Sequence, residues 1–251
     1  KNGLGGDGVI GPKTYAKFNA FQGITSFTAV KKPKNTETVA MTRYVDAGSG
    51  LLYDRAIRKV EDKRQITNNS IPRVAAAFFD NTKNNVVMRY LKDDVIETYV
   101  AKLTFAKIDP NLTQAEKDAI TKIAEMTGEF LPENIQTVAM SRDKKSLFYM
   151  NPLGSGVAGI TYNFSTKAKK QIFDSPLREW IAGWSNDSKI NLTTKASALA
   201  PGYAYVLDTK TAAFSKVIGS SKGLTTLMSP DGKKILYAEV GDDGISTFVI
   251  E

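Results

Sequence analysis

Ser141-Arg142-Asp143-Lys144 sets a hydroxyl and an amine three residues apart. On a helix that spacing places Lys one turn from Ser, where it can take the hydroxyl proton for acyl transfer. Here the polar run leads straight into Leu147-Phe148-Tyr149 and no Lys-Thr-Gly follows, so a turn entering a strand is the favoured reading. Asp93-Asp94 and Asp242-Asp243-Gly244 offer carboxylates, but the alternating oxygen ligands of a calcium loop are missing, and hairpin turns fit better. Glycoside hydrolysis needs two carboxyl groups about 5–9.5 Å apart in a cleft. Glu129 and Glu133 flank the most unusual stretch, and solvation is their favoured reading. The chain has no histidine and no cysteine, which excludes Ser–His–Asp and Cys–His catalysis, disulfides, and imidazole- or thiolate-bound zinc. No metal or other cofactor is expected, and the chain reads as a non-enzyme.

Binding chemistry is easier to place. Arg55, Arg58, Lys59, Lys63 and Arg64 form a basic stretch with Tyr44 and Tyr53 nearby, a combination that can hold a polyanion or stack a sugar. A solvated strand edge is the competing reading. The formal charge of +8 is uneven: residues 1–110 carry 18 basic and 11 acidic side chains, residues 111–251 carry 16 and 15. Such a half favours acidic polymers or surfaces. No nucleic-acid motif accompanies it. Trp180 and Trp184 read as core packing. No apolar run approaches about 18 residues, so no membrane-spanning helix is expected.

The elements that would carry these residues come from repeats. Ser229-Pro230-Asp231-Gly232 leads into Ile235-Leu236-Tyr237, and Ser141-Arg142-Asp143-Lys144 leads into Leu147-Phe148-Tyr149. Ser185-Asn186-Asp187-Ser188 and Asp80-Asn81-Thr82-Lys83 have the same form. Steps of 61, 44 and 44 residues separate Asp80, Ser141, Ser185 and Ser229, and Thr42-Arg43-Tyr44 precedes Met88-Arg89-Tyr90 by 46. Each turn follows a short apolar strand: 74–79, 137–140, 181–184 and 224–228. A unit of about 40–50 residues built of short strands predicts an all-β chain, a β-propeller of about five recognisable blades. The first blade reads as lacking its innermost strand. The long step predicts a helical insertion at 109–134, with a helix near 114–127: Thr113-Gln114-Ala115-Glu116 is a capping box and Gly128 a stop.

The opening residues differ in kind. Gly11-Pro12 reads as a turn into a short helix with Tyr15, Phe18 and Phe21 on one side. Asp7-Gly8-Val9-Ile10-Gly11-Pro12-Lys13-Thr14, ending at Phe21-Gln22, resembles the C-terminal part of a peptidoglycan-binding-domain-1-like repeat. That family's unit has three helices, of which this stretch (1–22) would supply the last. The resemblance makes Asp7, Gly8, Gly11, Pro12 and Thr14 the candidate wall-binding motif. Residues 23–36, with Lys31-Lys32-Pro33-Lys34, read as a linker. Residues 37–251 resemble PD/WD-type propellers whose blades carry Ser-Pro-Asp-Gly, Tol-translocation-type periplasmic propellers among them.

Together these imply a non-catalytic binding or scaffold protein of the bacterial envelope, outside the cytoplasm. Its expected partners are peptidoglycan or another acidic wall polymer, and an envelope protein. The alternatives are a carboxylate-based glycan-active propeller, an accessory domain of an envelope enzyme, and a subunit of a surface assembly. The start at Lys1-Asn2-Gly3 reads as the interior of a longer protein.

Overall fold

Leu147-Phe148-Tyr149-Met150 has no polar alternation, and all four side chains are buried. A strand covered on both faces needs such a run, whereas Leu52–Ala56 alternates buried and half-buried residues. Short strands of both kinds make up the described chain. The structure is a computed structural model. It describes residues 24–31, 38–57, 63–107, 109, 111–113, 123–196, 200–241 and 243–251, of which 24–31 and 38–40 in backbone only.

Among the described residues, nineteen strands form five antiparallel sheets. Sheet 1 holds β1 (Ile24–Lys31), β2 (Thr38–Val45), β3 (Leu52–Ala56) and β4 (Lys63–Gln65). Sheet 2 holds β5 (Val74–Phe79), β6 (Asn85–Lys92), β7 (Val95–Phe105) and β8 (Ala124–Phe130). Sheet 3 holds β9 (Val138–Met140), β10 (Ser146–Leu153), β11 (Gly156–Asn163) and β12 (Lys169–Ser175). Sheet 4 holds β13 (Trp180–Gly183), β14 (Lys189–Thr194), β15 (Gly202–Asp208) and β16 (Phe214–Ser221). Sheet 5 holds β17 (Thr225–Met228), β18 (Ile235–Val240) and β19 (Ser246–Ile250). Strand order follows chain order within every sheet, so local hairpins build them all.

The chain divides into two compact units, Lys1–Asp94 with Thr98–Leu131, and Val95–Glu97 with Pro132–Glu251. In the first, Leu52, Ile66, Phe79, Val86, Met88 and Leu103 make a core between sheets 1 and 2. In the second, Phe148 and Met150 of sheet 3 pack on Trp180, Ile190, Leu192 and Leu207 of sheet 4. A smaller cluster joins Ala204 and Ile218 of sheet 4 to Leu224, with Ile235 and Tyr237 of sheet 5 against it.

Two expectations change. The stretch 23–36, read as linker, contributes β1, which pairs with β2 from Ile24↔Tyr44 to Lys31↔Thr38 and supplies the strand that sheet 1 was expected to lack. Ile24, Thr25, Thr28 and Val30 carry the β-branched character that favours this pairing. The helix expected near 114–127 is not there in its last four residues: 124–130 is β8, paired with β7 from Phe105↔Ala124 to Tyr99↔Phe130. Ala124 and Met126 are buried at alternate positions, a strand period that the neighbouring Ile120 and Ile123 had disguised as a helical one. Residues 114–122, and the short helix expected within 1–22, lie outside the described residues.

The repeated turn is a hydrogen-bonded device. Ser141 Oγ donates to Asp143 Oδ1 at 2.7 Å and accepts from Ser146 N at 3.0 Å, while Asp143 Oδ1 accepts from Lys145 N at 3.1 Å. Ser229 and Asp231 repeat the arrangement at 2.6 Å, with Lys234 N on Ser229 Oγ at 3.0 Å and Lys233 N on Asp231 at 3.1 Å. In sheet 2 the chemistry is exchanged: Thr82 Oγ1 donates to Asp80 Oδ2 at 2.7 Å, and Asp80 Oδ1 accepts from Asn85 N at 3.0 Å. The fourth residue is left-handed each time, with φ of 63° at Lys83, 55° at Lys144 and 67° at Gly232. The copy at Ser185 is one residue shorter and departs: Asn186 Oδ1 caps Ser188 N at 3.0 Å, and Ser185 Oγ donates to the Met228 carbonyl at 2.6 Å.

A second turn family closes the other end of the hairpins. Asp208 Oδ1 accepts from Lys210 N and Thr211 N, both at 2.9 Å, and Asn163 Oδ1 accepts from Ser165 N and Thr166 N. Asp46 Oδ1 accepts from Ser49 N at 2.9 Å. Four of the turn carboxyls, those of Asp46, Asp143, Asp208 and Asp231, are held below their ordinary value. The amide and hydroxyl of Ser49 lower Asp46, the amides of Thr211 and Lys210 lower Asp208, and the Ser229 hydroxyl lowers Asp231. Burial raises Asp143, but the Ser141 hydroxyl and the Lys145 amide outweigh it. Lowered folded values mean stability held above the unfolded carboxylate value of about 3.9 and lost as pH falls through the folded values. Urea unfolding measured from pH 6 to pH 2 is therefore expected to weaken below about pH 4. A variant with Asp46, Asp143, Asp208 and Asp231 all changed to Asn is expected to show a flatter acid limb.

Candidate functional site

The basic stretch singled out by sequence lies on β3 and β4. The turn held by Asp46 sets β2 against β3 in the register Thr42↔Arg55, Arg43↔Asp54 and Tyr44↔Tyr53. β4 continues it with Arg55↔Lys63, Asp54↔Arg64 and Tyr53↔Gln65. Directly opposite residues share a face, so the register sorts the cations between two faces.

One face turns to the core of the first unit. Its centre is a buried fork: Arg43 Nε donates to Asp54 Oδ1 at 2.7 Å and Nη2 donates to Oδ2 at 2.8 Å. Nη1 donates to the Lys83 carbonyl at 2.7 Å, and the guanidinium lies 5.4 Å from the centre of the Phe105 ring. Arg43 thereby ties sheet 1 to the first turn of sheet 2. Arg64, one of the five expected cations, belongs to this face, with Nη2 3.6 Å from Asp54. Sequence reasoning missed the Arg43–Asp54 pair. Its signal was the Asp46–Gly50 turn, which fixes the register of two residues eleven apart.

The other face carries Thr42, Tyr44, Tyr53, Arg55, Lys63 and Gln65. Tyr44 and Tyr53 stack with ring centres 5.7 Å apart and planes at 24°. Lys63 Nζ sits 3.8 Å above the Tyr53 ring, and Arg55 is its cross-strand neighbour. The tyrosines and Arg55 are half-buried, and Lys63 is exposed. The face has two cations, two stacked rings and no carboxylate at these register positions. Such a surface can stack a sugar or a flat ring and pair with an anion beside it. Arg58 and Lys59 lie outside the described residues, as do Asp7, Gly8, Gly11, Pro12 and Thr14.

The remaining candidates take structural places. Ser141 donates its proton to Asp143 and receives two backbone N–H groups, so its hydroxyl is occupied within the turn. Asp93 and Asp94, at φ 48° and 61°, are the two central residues of the β6–β7 hairpin. Asp243 Oδ1 caps Ile245 N in the β18–β19 hairpin at 2.9 Å. Glu129 lies in β8 opposite Val100. Trp180 is buried, donates from Nε1 to the Leu177 carbonyl at 2.9 Å, and meets Phe173 and Tyr205 edge-on. Trp184 is buried in the same cluster. Among the described residues no three acidic side chains group to hold a metal ion. No described helix is long and apolar enough to cross a membrane.

No family model and no curated protein matches the sequence. Solved structures do match the fold. TolB from Acinetobacter baumannii aligns at TM-score 0.50 and 12% identity over 92% of this chain. The chain spans about half of that one, 51%. A putative TolB from Agrobacterium tumefaciens aligns at 0.51 and 10% identity, covering 90% of this chain and 76% of that one. The β-propeller domain of the Trilobed protease from Pyrococcus furiosus aligns at 0.53 and 11% identity, covering 91% and 67%. The expected all-β propeller fold, with five sheets for about five blades, is thus the fold of this chain.

Proposed function

We propose that this chain is a binding and scaffold propeller of the bacterial envelope, and that the Tyr44–Tyr53–Arg55–Lys63 face takes an acidic, sugar-containing wall polymer. The observation that carries the reading is the pair of stacked tyrosines capped by Lys63, at register positions that hold no carboxylate among the described residues. The fold shared with TolB chains and the peptidoglycan-binding-like motif at 7–14 support the setting. A role without catalysis agrees with the absence of histidine and cysteine. The likeness to a protease's propeller favours a second reading, an accessory domain of an envelope enzyme. Co-purification of the full-length natural protein with hydrolase activity would favour that one.

The test is sedimentation with intact peptidoglycan sacculi across a salt series. Wild-type chain is expected to sediment, with a fraction surviving high salt. Lys63→Ala with Arg55→Ala is expected to lower affinity about tenfold at low salt and to flatten the salt dependence. Tyr53→Ala is expected to remove the salt-resistant fraction, at a cost of about 1–2 kcal/mol in binding. Sedimentation unchanged in Tyr53→Ala, or absent in wild type, overturns the assignment of this face.

A further inference from the structure

The link from β4 to β5, Ser70–Arg73, and the end of β6 with its hairpin, Tyr90–Asp93, line a cavity of about 520 Å³. Both stretches belong to the first unit. The volume falls within the range of about 300–1,000 Å³ usual for small-ligand pockets. The cavity sets an apolar wall beside charge. Ile71, Pro72 and Leu91 form the wall, and Leu91 is 56% exposed. Arg73, Lys92 and Asp93 supply two cations and one carboxylate. Among the described residues, the Arg73 and Lys92 side chains have no hydrogen-bonding or ionic partner.

Arg73 is fixed through its backbone. Its φ of 63° is left-handed, a costly conformation outside glycine that persists only where the surroundings impose it. Here they do. Arg73 N donates to the Gly48 carbonyl at 3.3 Å, Val74 N to the Ala47 carbonyl at 2.9 Å, and Ser70 Oγ to the Ser49 carbonyl. The link also lies so close to Gly50 that a Cβ there would meet the Ile71 carbonyl oxygen at 1.9 Å. The link from sheet 3 to sheet 4, Ser175-Pro176-Leu177-Arg178, has its arginine at the same place. There the side chain makes the tie: Arg178 Nη2 donates to the Gly154 carbonyl of the β10–β11 hairpin. In Ser70-Ile71-Pro72-Arg73 the backbone and Ser70 make it instead, and the guanidinium is left to the cavity.

We propose that this cavity binds the C-terminal carboxylate of a peptide whose last side chain is apolar. A guanidinium takes a carboxylate in a two-bond fork, and Lys92 adds a second positive charge. The last side chain lies on Ile71, Pro72 and Leu91, and Asp93 accepts the last peptide N–H. Two cations against one carboxylate leave one positive charge for the one negative charge of the ligand. The preceding part of the chain is the wrong occupant by charge. Residues 1–23 carry Lys1, Lys13 and Lys17 against Asp7 alone, and offer no α-carboxylate. The site shares no residue with the tyrosine face, so it stands or falls independently of wall binding.

The probe is N-acetyl-alanyl-leucine with a free carboxylate, titrated into the 15N-labelled chain. Saturable amide shifts are expected at Arg73, Leu91 and Lys92, with a Kd of about 1 mM. The C-terminal amide of the same peptide is expected to bind at least about tenfold more weakly, and Arg73→Gln is expected to weaken the free acid as much. Arg73→Lys is expected to stay about threefold weak, because an ammonium makes no fork. Leu91→Ser is expected to weaken the peptide and leave acetate unchanged. The altered side chains are exposed, and circular dichroism checks that each variant folds. No saturable shift, equal affinity for acid and amide, or shifts that persist in Arg73→Gln overturn the proposal. Acetate binding as tightly as the peptide reduces the site to one for any small anion and overturns it too. So does loss of peptide binding in the full-length natural protein, which assigns the cavity to the protein's own residues.

Discussion

Replacing Arg43 by alanine is expected to remove about 3 kcal/mol from the stability of the first unit, the low end of the range for stripping one partner from a buried ion pair. Three charge-assisted hydrogen bonds go at once, two to Asp54 and one to the Lys83 carbonyl. Asp54 then keeps its burial with Arg64, 3.6 Å away, as its near cation among the described residues. Arg64 is the reason for choosing the lower part of the usual 3–5 kcal/mol. Arg43→Lys is expected to recover less than half, because an ammonium cannot span both carboxylate oxygens and the carbonyl together. Asp54→Leu with Arg43→Met is expected to cost less than the two single changes summed, since neither leaves a buried charge alone. Urea unfolding of the wild type, Arg43→Ala, Arg43→Lys, Arg43→Met, Asp54→Leu and the double variant measures this. A loss under about 1 kcal/mol in Arg43→Ala would mean that Arg64 swings in and replaces it.

Gly128→Ala is the second large effect expected. A Cβ there would lie 2.2 Å from the Val100 carbonyl oxygen and 2.8 Å from both Ala101 Cα and the Tyr99 ring. Two of the three obstacles are backbone, so β8 must leave β7 or both must shift. Overpacking against backbone is expected to cost about 3 kcal/mol. The Tyr99 ring, tilted at 45° against Phe130 with ring centres 4.8 Å apart, covers the gap the glycine leaves at this outer strand, as aromatic residues do across from edge glycines. Amide exchange in β8 is the sensitive readout. Protection retained at 124–130 in the alanine variant would contradict the close approach.

Gly128 also shows how far the sequence could be read. A glycine after a run with Ala119, Ile120, Ile123 and Ala124 satisfies the rule for a helix stop, yet here it serves strand packing. Only the opposing strand, more than twenty residues earlier, distinguishes the two. The turns were legible because their chemistry is local: Ser141 and Asp143 satisfy amides within five residues of themselves. The strands before each turn were legible to within a residue for the same reason, Val74–Phe79 among them. β1 was missed because a strand of mixed polarity beside Lys31-Lys32-Pro33-Lys34 looks like a linker until its partner is known. The basic stretch was visible as composition, but its division was not. Lys63 and Arg64 are neighbours in sequence and fall on opposite faces, one over Tyr53 and one toward Asp54.

The exchanged turn in sheet 2 bears on descent. Ser-x-Asp at 141–143 and 229–231 becomes Asp-x-Thr at 80–82, with hydroxyl and carboxylate trading places and the amide bonds kept. A duplicated blade can drift through such exchanges at little energetic cost, because the turn selects for one hydroxyl, one carboxylate and a left-handed fourth residue rather than for letters at fixed positions. Identity between copies therefore decays much faster than geometry. Kinship among the blades of this chain is better sought in the order of donors and acceptors around each turn than in aligned residues.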